Sequence, residues 1–179
     1  MYLAAMTNLC HFRGHGIHSP FAYNLVRECL IPRHFVCSHA STDKPSGAGG
    51  LRSMPFGASV YDAMRTMGMT KKASRQLQNI FYYLRASDFK VLESAESVAS
   101  NSKTLYFTAP QATNEDLEEI VVAVKAAGGA VVIIYPRTSL QRMKLCRRLC
   151  RSEDLLSIDN RRFLLLIFDE KLPNQHYKL

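Results

Sequence analysis

The sequence predicts an α/β domain with a mixed sheet of about five strands, preceded by helices. The run from Ala130 to Tyr135 (AVVIIY) lacks polar alternation, as expected of a strand buried on both faces. The helical stretch from Thr113 to Ala127 separates it from an earlier short run, Leu105 to Thr108, and this spacing indicates a βαβ unit with a parallel sheet. The closing runs DLLSID and FLLLIFD flank the polar turn NRR and predict an antiparallel hairpin, so the sheet should be mixed at one edge.

Length and composition favour one compact unit. The chain has 179 residues and 47% hydrophobic content, enough to bury a core. No apolar run is long enough to span a membrane, and the start MYLAAMTNLCHFRGHG has too short an apolar part and too much His and Arg for a signal peptide. We therefore expect a soluble, cytoplasmic protein with no membrane partner. The cysteines are odd in number and lack paired spacing, which predicts reduced thiols at Cys10, Cys29, Cys37, Cys146 and Cys150.

Residues 1–59 are predicted to be a helical segment followed by a linker. Gly14 and Gly16 interrupt a first helix, and Ser19-Pro20 begins a second. That second helix carries an apolar face at four-residue spacing, formed by Phe21, Leu25 and Cys29. Residues 38–59 (SHASTDKPSGAGGLRSMPFGAS) are dense in Gly, Ser and Pro, and this composition is typical of a flexible connection. The remaining residues, 60–179, should form the α/β domain.

The first half of that domain should be mainly helical. Residues 60–69 form a short predicted helix, and residues 71–85 form a stronger one with an apolar stripe of Leu77, Ile80, Phe81 and Leu84. The run Phe89 to Leu92 is β-prone and is followed by a turn or short helix. Further along, Thr113 is the expected cap of its helix, and Gly128-Gly129 should end that helix.

The net charge of +8, from 23 basic against 15 acidic residues, leaves nucleic acid open as a partner. The basic residues are densest in the predicted helix 138–151, just after Arg137. Its inward residues should be Leu140, Met143, Cys146, Leu149 and Cys150. Its more exposed cations, the candidate polyanion contacts, are Arg142, Lys144, Arg147, Arg148 and Arg151. A solvated helix face is the favoured interpretation, because no aromatic residues interleave for base stacking.

The sequence predicts no metal site. His11, His15 and His18 cluster with Cys10, and imidazole with thiolate suits zinc, but no Cys-x-x-Cys or His-Glu-x-x-His spacing is present. The Gly-Ala-Gly-Gly run at 47–50 lacks the Lys and Ser or Thr of a phosphate-binding loop, so it fits a linker.

Three stretches carry a resemblance to a known family. They are HFRGHGIHSPFAYNLV (11–26), FGAS (56–59) with the following helix into LQNIFYYL, and the closing LLLIFDEKLPNQHYKL. Together they resemble the Bacteroidetes-type class I S-adenosylmethionine-dependent methyltransferase-like family. The resemblance spans nearly the whole chain, and it implies a Rossmann-like methyltransferase sheet with N-terminal helices. S-adenosylmethionine is the cofactor that it implies.

The segment that would hold this cofactor departs from the family pattern. In the family the first strand ends in an acid and runs into a glycine-rich turn, because only Gly leaves room for the cofactor. Here the matching stretch VLESAESVA (91–99) keeps the acid as Glu93, but both glycine positions hold alanine. The residues that the resemblance assigns to cofactor binding are therefore Glu93, Ser94 and Ala95, in a degenerate form.

A second departure removes further carboxylates. The family has another strand, helix and strand after this turn, the first of which supplies the acid that holds the cofactor ribose. This chain passes through residues 100–103 directly into TLYF, and Tyr106-Phe107-Thr108 and Tyr135-Pro136 stand where the family has acids. The sequence thus predicts a degenerate, non-catalytic scaffold with no cofactor and no nameable catalytic residue. The alternatives are an active or cofactor-binding methyltransferase with a rebuilt pocket around Glu93, and a nucleic-acid-binding module using helix 138–151.

The missing strands also imply a free sheet edge. Unpaired strand edges attract other strands, so we expect either a homodimer through this edge or cover by the N-terminal helices.

Overall fold

A computed structural model describes residues 19–31, 59–98, 103–152, 155–169, 171–172 and 174–179. Its centre is one six-stranded sheet. The strands are β1 (Asp88–Leu92), β2 (Thr104–Thr108), β3 (Ala130–Ile134), β4 (Leu156–Asp159), β5 (Phe163–Ile167) and β6 (Gln175–Lys178). The helices are α1 (Pro20–Leu25), which continues as a π-helical turn (Val26–Leu30), α2 (Val60–Thr66), α3 (Lys71–Tyr83), α4 (Asn114–Ala126) and α5 (Leu140–Leu149). None of the helices in these ranges is long and apolar enough to cross a membrane.

The predicted α/β class, the mixed sheet and the C-terminal hairpin are confirmed. The strand order is β1-β2-β3-β5-β4-β6. Strands β1, β2 and β3 are parallel, β5 is antiparallel to both β3 and β4, and β6 is parallel to β4. All strands except β5 therefore end at the same edge of the sheet, which we call the carboxyl edge. The sequence predicted about five strands, and the additional one is β6, whose four residues bury only Tyr177 and so give a weak pattern.

Helices cover both faces of the sheet. On the first face, α1, the π-helical turn, α2 and α3 pack against side chains that include Phe107, Val132 and Leu165. On the second face, α4 and α5 pack against Tyr106, Val131 and other residues of the same strands. The central strands β2, β3 and β5 are buried at every position, which explains why their sequences lack polar alternation.

Each helix begins at a side-chain cap that the sequence supplies. The cap hydroxyl accepts a hydrogen bond from a backbone N–H of the first turn in all five helices, and the caps are Ser19, Ser59, Thr70, Thr113 and Ser139. At α4 the predicted cap Thr113 forms a reciprocal capping box with Asp116, and the hydrogen bonds from Thr113 lower the pKa of that carboxyl. Such caps each stabilise a helix by roughly 1 kcal/mol.

Helix α3 buries amide side chains in addition to the predicted apolar stripe. Gln76 Nε2 donates to the Leu30 carbonyl at 2.6 Å, and Asn79 Nδ2 donates to the Cys29 carbonyl at 3.4 Å. The Gln76 Oε1 atom also accepts a hydrogen bond from Asn160 Nδ2 at 3.0 Å. These bonds satisfy buried groups that would otherwise be costly, and they fix the π-helical turn to the α/β domain.

The outer strand β1 is partly exposed. Val91 is 40% exposed, whereas Phe89 packs edge-on against Phe81 and Phe107 on the first face. Among the described residues β1 pairs only with β2. The described N-terminal helix α1 lies on the first face. Both alternatives for the β1 edge, dimerisation and cover by the N-terminal helices, stay predictions.

Candidate functional site

The described residues form two depressions at the carboxyl edge, which is the edge where open α/β sheets bind ligands. The first, the β1–β2 cleft, is an open space of about 850 Å³. It is lined by Ala63, Thr66, Met67, Gly68, Val91, Glu93, Ala109, Pro110 and Gln111. It lies between the α2–α3 turn and the ends of β1 and β2, where the family resemblance places a cofactor.

Among the residues that the structure describes, Glu93 is the only ionisable side chain that lines the β1–β2 cleft. Its Oε1 atom accepts a hydrogen bond from Gln111 Nε2 at 2.7 Å, across the gap between the two strand ends. A carboxylate can accept several hydrogen bonds, so the bond from Gln111 occupies part of the accepting capacity of Glu93 and fixes its position in the cleft. The predicted acid thus reaches the cleft, but a protein side chain already binds it.

The turn after β1 has a shape that alanine tolerates. Ser94 is extended, and Ala95–Ser97 form one 3-10 turn. No residue from Glu93 to Val98 has a positive φ angle, so this segment uses none of the backbone freedom that a glycine would provide. Ala95 packs against the hydrophobic cluster of the second face, and neither Ser94 nor Ala95 lines the cleft. Of the three predicted cofactor residues, only Glu93 faces the open space.

Tyr135 lies at the centre of the carboxyl edge, directly after β3. Its hydroxyl donates to the Met67 carbonyl at 3.2 Å, and a Cβ built on Gly68 would lie 3.3 Å from the same hydroxyl oxygen. Gly68 has φ +84° and Tyr135 has φ 52°, a left-handed conformation that strains a bulky residue by roughly 1 kcal/mol or more. The phenol therefore ties β3 to the α2–α3 turn at a position where the family has an acid.

The second depression, the α5–β6 pocket, encloses about 260 Å³. Helix α5 forms one wall, and the second-face side chains of β4 and β6 form the floor. The lining residues are Pro136, Arg137, Met143, Cys146, Arg147, Cys150, Arg151, Asp159, Leu164, His176 and Lys178. Four cationic side chains thus surround one carboxylate in a partly apolar space.

The predicted polyanion contacts of segment 138–151 have four different environments. Arg147 and Arg151 line the α5–β6 pocket, whereas Lys144 is exposed outside its lining. Arg148 forms an exposed ion pair with Glu118. Arg142 is buried, and its guanidinium donates to the Ala112 carbonyl in the loop after β2. The structure therefore brings together two of the five residues.

Two details of the predicted α5 orientation are wrong. The sequence pattern placed Arg142 on the more exposed face and Leu140 inward, but Arg142 is 6% exposed and Leu140 is 62% exposed. The buried stripe of α5 consists of Arg142, Leu145 and Cys146. Leu140 lies two residues before Arg142, about 200° around the helix, and so faces away from the sheet.

Asp159 forms an ion pair with Arg137 on one side of the pocket. Its Oδ2 atom lies 2.8 Å from the Arg137 guanidinium, and its Oδ1 atom accepts a hydrogen bond from the Arg161 N–H at 2.8 Å. Burial lowers the pKa of His176, and the nearby Lys178 lowers it further, whereas Asp159 opposes both. His176 is therefore neutral at pH 7, and the positive charge of the pocket comes from its Arg and Lys side chains.

The pocket contains no activated nucleophile among the described residues. Burial, as the main cause, raises the pKa of Cys146 to about 12 and that of Cys150 to about 11, so both thiols stay protonated at neutral pH. Ser157 Oγ lies 2.8 Å from His176 Nδ1, but Ser157 is fully buried and cannot meet a substrate. The arrangement suits binding better than group transfer.

Within the described ranges no group of three or more metal-ligating side chains exists. The cluster of His11, His15 and His18 with Cys10 lies outside the described residues, as does Cys37. Cys29, Cys146 and Cys150 are free thiols, in agreement with the predicted absence of disulfides for these three.

No protein-family model, curated protein or solved structure matches the chain.

Three pocket residues could not be found from the sequence pattern, namely Asp159, His176 and Lys178. They lie on two strands that are separated along the chain, and the parallel register of β4 and β6 pairs Ser157 with His176 and Asp159 with Lys178. Without that pairing, nothing in the sequence connects these residues to the cations of α5.

Proposed function

We propose that the protein is a non-catalytic binding protein that keeps a shortened, methyltransferase-like α/β scaffold. The observation that carries this proposal is the state of Glu93. In the described part of the chain it is the only ionisable residue that lines the β1–β2 cleft, and it accepts a hydrogen bond from Gln111. Methyl transfer needs a held cofactor, and most acceptors also need a positioned base. The cleft offers one carboxylate for both tasks.

Two further observations support the proposal. The turn at Ala95 packs onto the second face of the sheet. A glycine-rich turn at this position would instead approach a cofactor. The chain also connects β1 to β2 through residues 93–103, and β1 pairs only with β2 among the described residues. No strand with a ribose-binding acid lies beside β1 in the described part of the chain.

A second candidate function is a cofactor-binding methyltransferase with a rebuilt pocket. The observation that favours it is that Glu93 faces an open cleft of about 850 Å³ at the end of β1. In this alternative, S-adenosylmethionine would hydrogen-bond to the Glu93 carboxylate, which can accept further bonds beside the one from Gln111.

Calorimetric titration with S-adenosylmethionine and S-adenosylhomocysteine separates the two candidates. The proposal predicts no binding heat at ligand concentrations up to about 1 mM, well above typical cofactor dissociation constants. Glu93→Ala tests the cleft, and Glu96→Ala is the matched control because Glu96 is exposed on the same turn but does not line the cleft. Micromolar binding that is lost in Glu93→Ala and kept in Glu96→Ala would overturn the proposal and establish the second candidate.

A further inference from the structure

We propose that the α5–β6 pocket binds a small phosphorylated organic molecule, whose phosphate is held by Arg147, Arg151 and Lys178. This inference does not rest on the proposed function, because the pocket and the β1–β2 cleft share no lining residue. It would stand even if S-adenosylmethionine bound at Glu93.

The cations converge from separate elements. Arg147 lies in the last turn of α5, and Arg151 lies in the turn just after the helix, whose last residue is Leu149. Both side chains line the pocket. Lys178 approaches from the end of β6, and Arg137 approaches from the segment after β3. A guanidinium offers paired N–H donors that match two phosphate oxygens, and a lysine ammonium adds a compact charge. Side chains from three elements thus surround one concave space.

Most of this charge is available to a ligand. Asp159 engages Arg137, which holds that side chain at the rim. Arg147, Arg151 and Lys178 form no ion pair with any residue in the described part of the chain. An anion in the pocket would therefore meet three cations that no carboxylate of the described residues engages.

The rest of the lining is apolar and argues for an organic group beside the phosphate. Pro136, Met143, Cys146 and Leu164 contribute this surface, and Leu164 and Cys146 are buried in the fold. The enclosed space of about 260 Å³ is at the small end of ligand pockets. A phosphomonoester with a compact organic body fits both the size and the two kinds of surface.

A small ligand is favoured over a nucleic acid strand. Strand binding relies on a row of phosphate contacts and on aromatic side chains that stack bases. The described residues of the pocket lining include no Phe, Tyr or Trp. On α5, Arg142 is buried and Arg148 is paired with Glu118, which breaks the row of cations along the helix.

Calorimetric titration with phenyl phosphate at low ionic strength tests the inference. The double variant Arg147→Gln, Arg151→Gln should weaken binding about tenfold or more, because both guanidinium contacts are lost. The matched control is Lys72→Gln, Lys144→Gln, which removes the same charge at exposed positions outside the pocket and should change affinity by less than about twofold. Both variants should keep the thermal midpoint of the parent, since all four side chains are exposed.

Inorganic phosphate and a single-stranded RNA are two further probes, which distinguish a free phosphate or a nucleic acid from a phosphorylated organic molecule. Inorganic phosphate should bind about tenfold more weakly than phenyl phosphate, because it leaves the apolar lining uncovered. Equal affinity for both would overturn the organic part of the proposal. No binding at about 5 mM phenyl phosphate, or equal weakening by the two double variants, would overturn the site itself. Tight binding of a single-stranded RNA in place of phenyl phosphate would assign the cations to nucleic acid instead.

Discussion

The two ends of the carboxyl edge belong to one sheet but differ in charge. Of the described residues, the β1–β2 cleft has a single carboxylate, Glu93, which accepts a hydrogen bond from Gln111. The α5–β6 pocket has four cations against Asp159, and three of them have no ion pair within the described residues. The difference teaches that the fold places possible ligand sites at the strand ends. The side chains at each strand end then determine the charge and chemical class of the ligand that can bind.

Arg142 connects the two ends and gives the largest expected effect. Its buried guanidinium on α5 donates to the Ala112 carbonyl, next to the residue that binds Glu93. Arg142→Met should lower the free energy of unfolding by about 3 kcal/mol, because the carbonyl loses its buried partner and the packing changes. Urea unfolding of this variant and of Arg148→Met provides the measurement.

The Arg148→Met control should cost less than about 0.5 kcal/mol, because the Arg148–Glu118 pair is exposed to solvent. Similar losses in the two variants would show that Arg142 does not fasten α5 to the loop after β2.

Tyr135 separates the two ends, and its loss should have an intermediate effect. Tyr135→Phe removes the hydroxyl that donates to the Met67 carbonyl but keeps the ring. We expect the free energy of unfolding to fall by about 1 kcal/mol, the typical value of one hydrogen bond. Tyr23→Phe is the control, because no hydrogen bond of the Tyr23 hydroxyl occurs among the described residues. A loss in the control as large as that in Tyr135→Phe would contradict the bridging role.

The smallest expected effect on stability concerns the protonation of His176, which lines the α5–β6 pocket. Burial and Lys178 place its folded-state pKa below its ordinary value of 6.5, against the opposing effect of Asp159. As the pH falls below 6.5, His176 is protonated in the unfolded chain before it is protonated in the folded chain. The folded state therefore loses stability between pH 6.5 and the lower folded-state pKa. Because the side chain is partly exposed, the loss should be below about 1 kcal/mol.

Urea unfolding at about pH 7 and about pH 5.5 measures this loss, and His176→Gln corrects for other titrating groups. The parent should lose more stability over this interval than His176→Gln. An equal loss in both would show that His176 titrates as it does in the unfolded chain.

Much of the fold could be predicted because its strongest signals are local. The run Ala130–Ile134 is buried at every residue, and Thr113 caps α4, as its position after a polar loop indicates. Gln76 and Asn79 show where local patterns fail. Amides on a helix are normally exposed, and their burial here depends on carbonyls of the π-helical turn some 50 residues earlier in the chain.

The candidate site could be predicted only in part, for the same reason. Glu93 follows a recognisable strand, and Arg147 and Arg151 lie in the densely basic segment 138–151, so a sequence pattern finds them. Lys178 joins them only because β6 pairs with β4 in a register that aligns it with Asp159. A short strand with one buried residue gives no signal for that pairing.

Backbone amide chemical shifts of the isotopically labelled chain test the central claim most directly, namely that the basic end of the edge is the ligand-binding end. Phenyl phosphate should shift the amides of Arg147, Arg151 and Lys178, whereas S-adenosylhomocysteine at the same concentration should leave those of Glu93 and Gln111 in place. Shifts at Glu93 and Gln111 with S-adenosylhomocysteine, and none at the basic pocket with phenyl phosphate, would contradict the account.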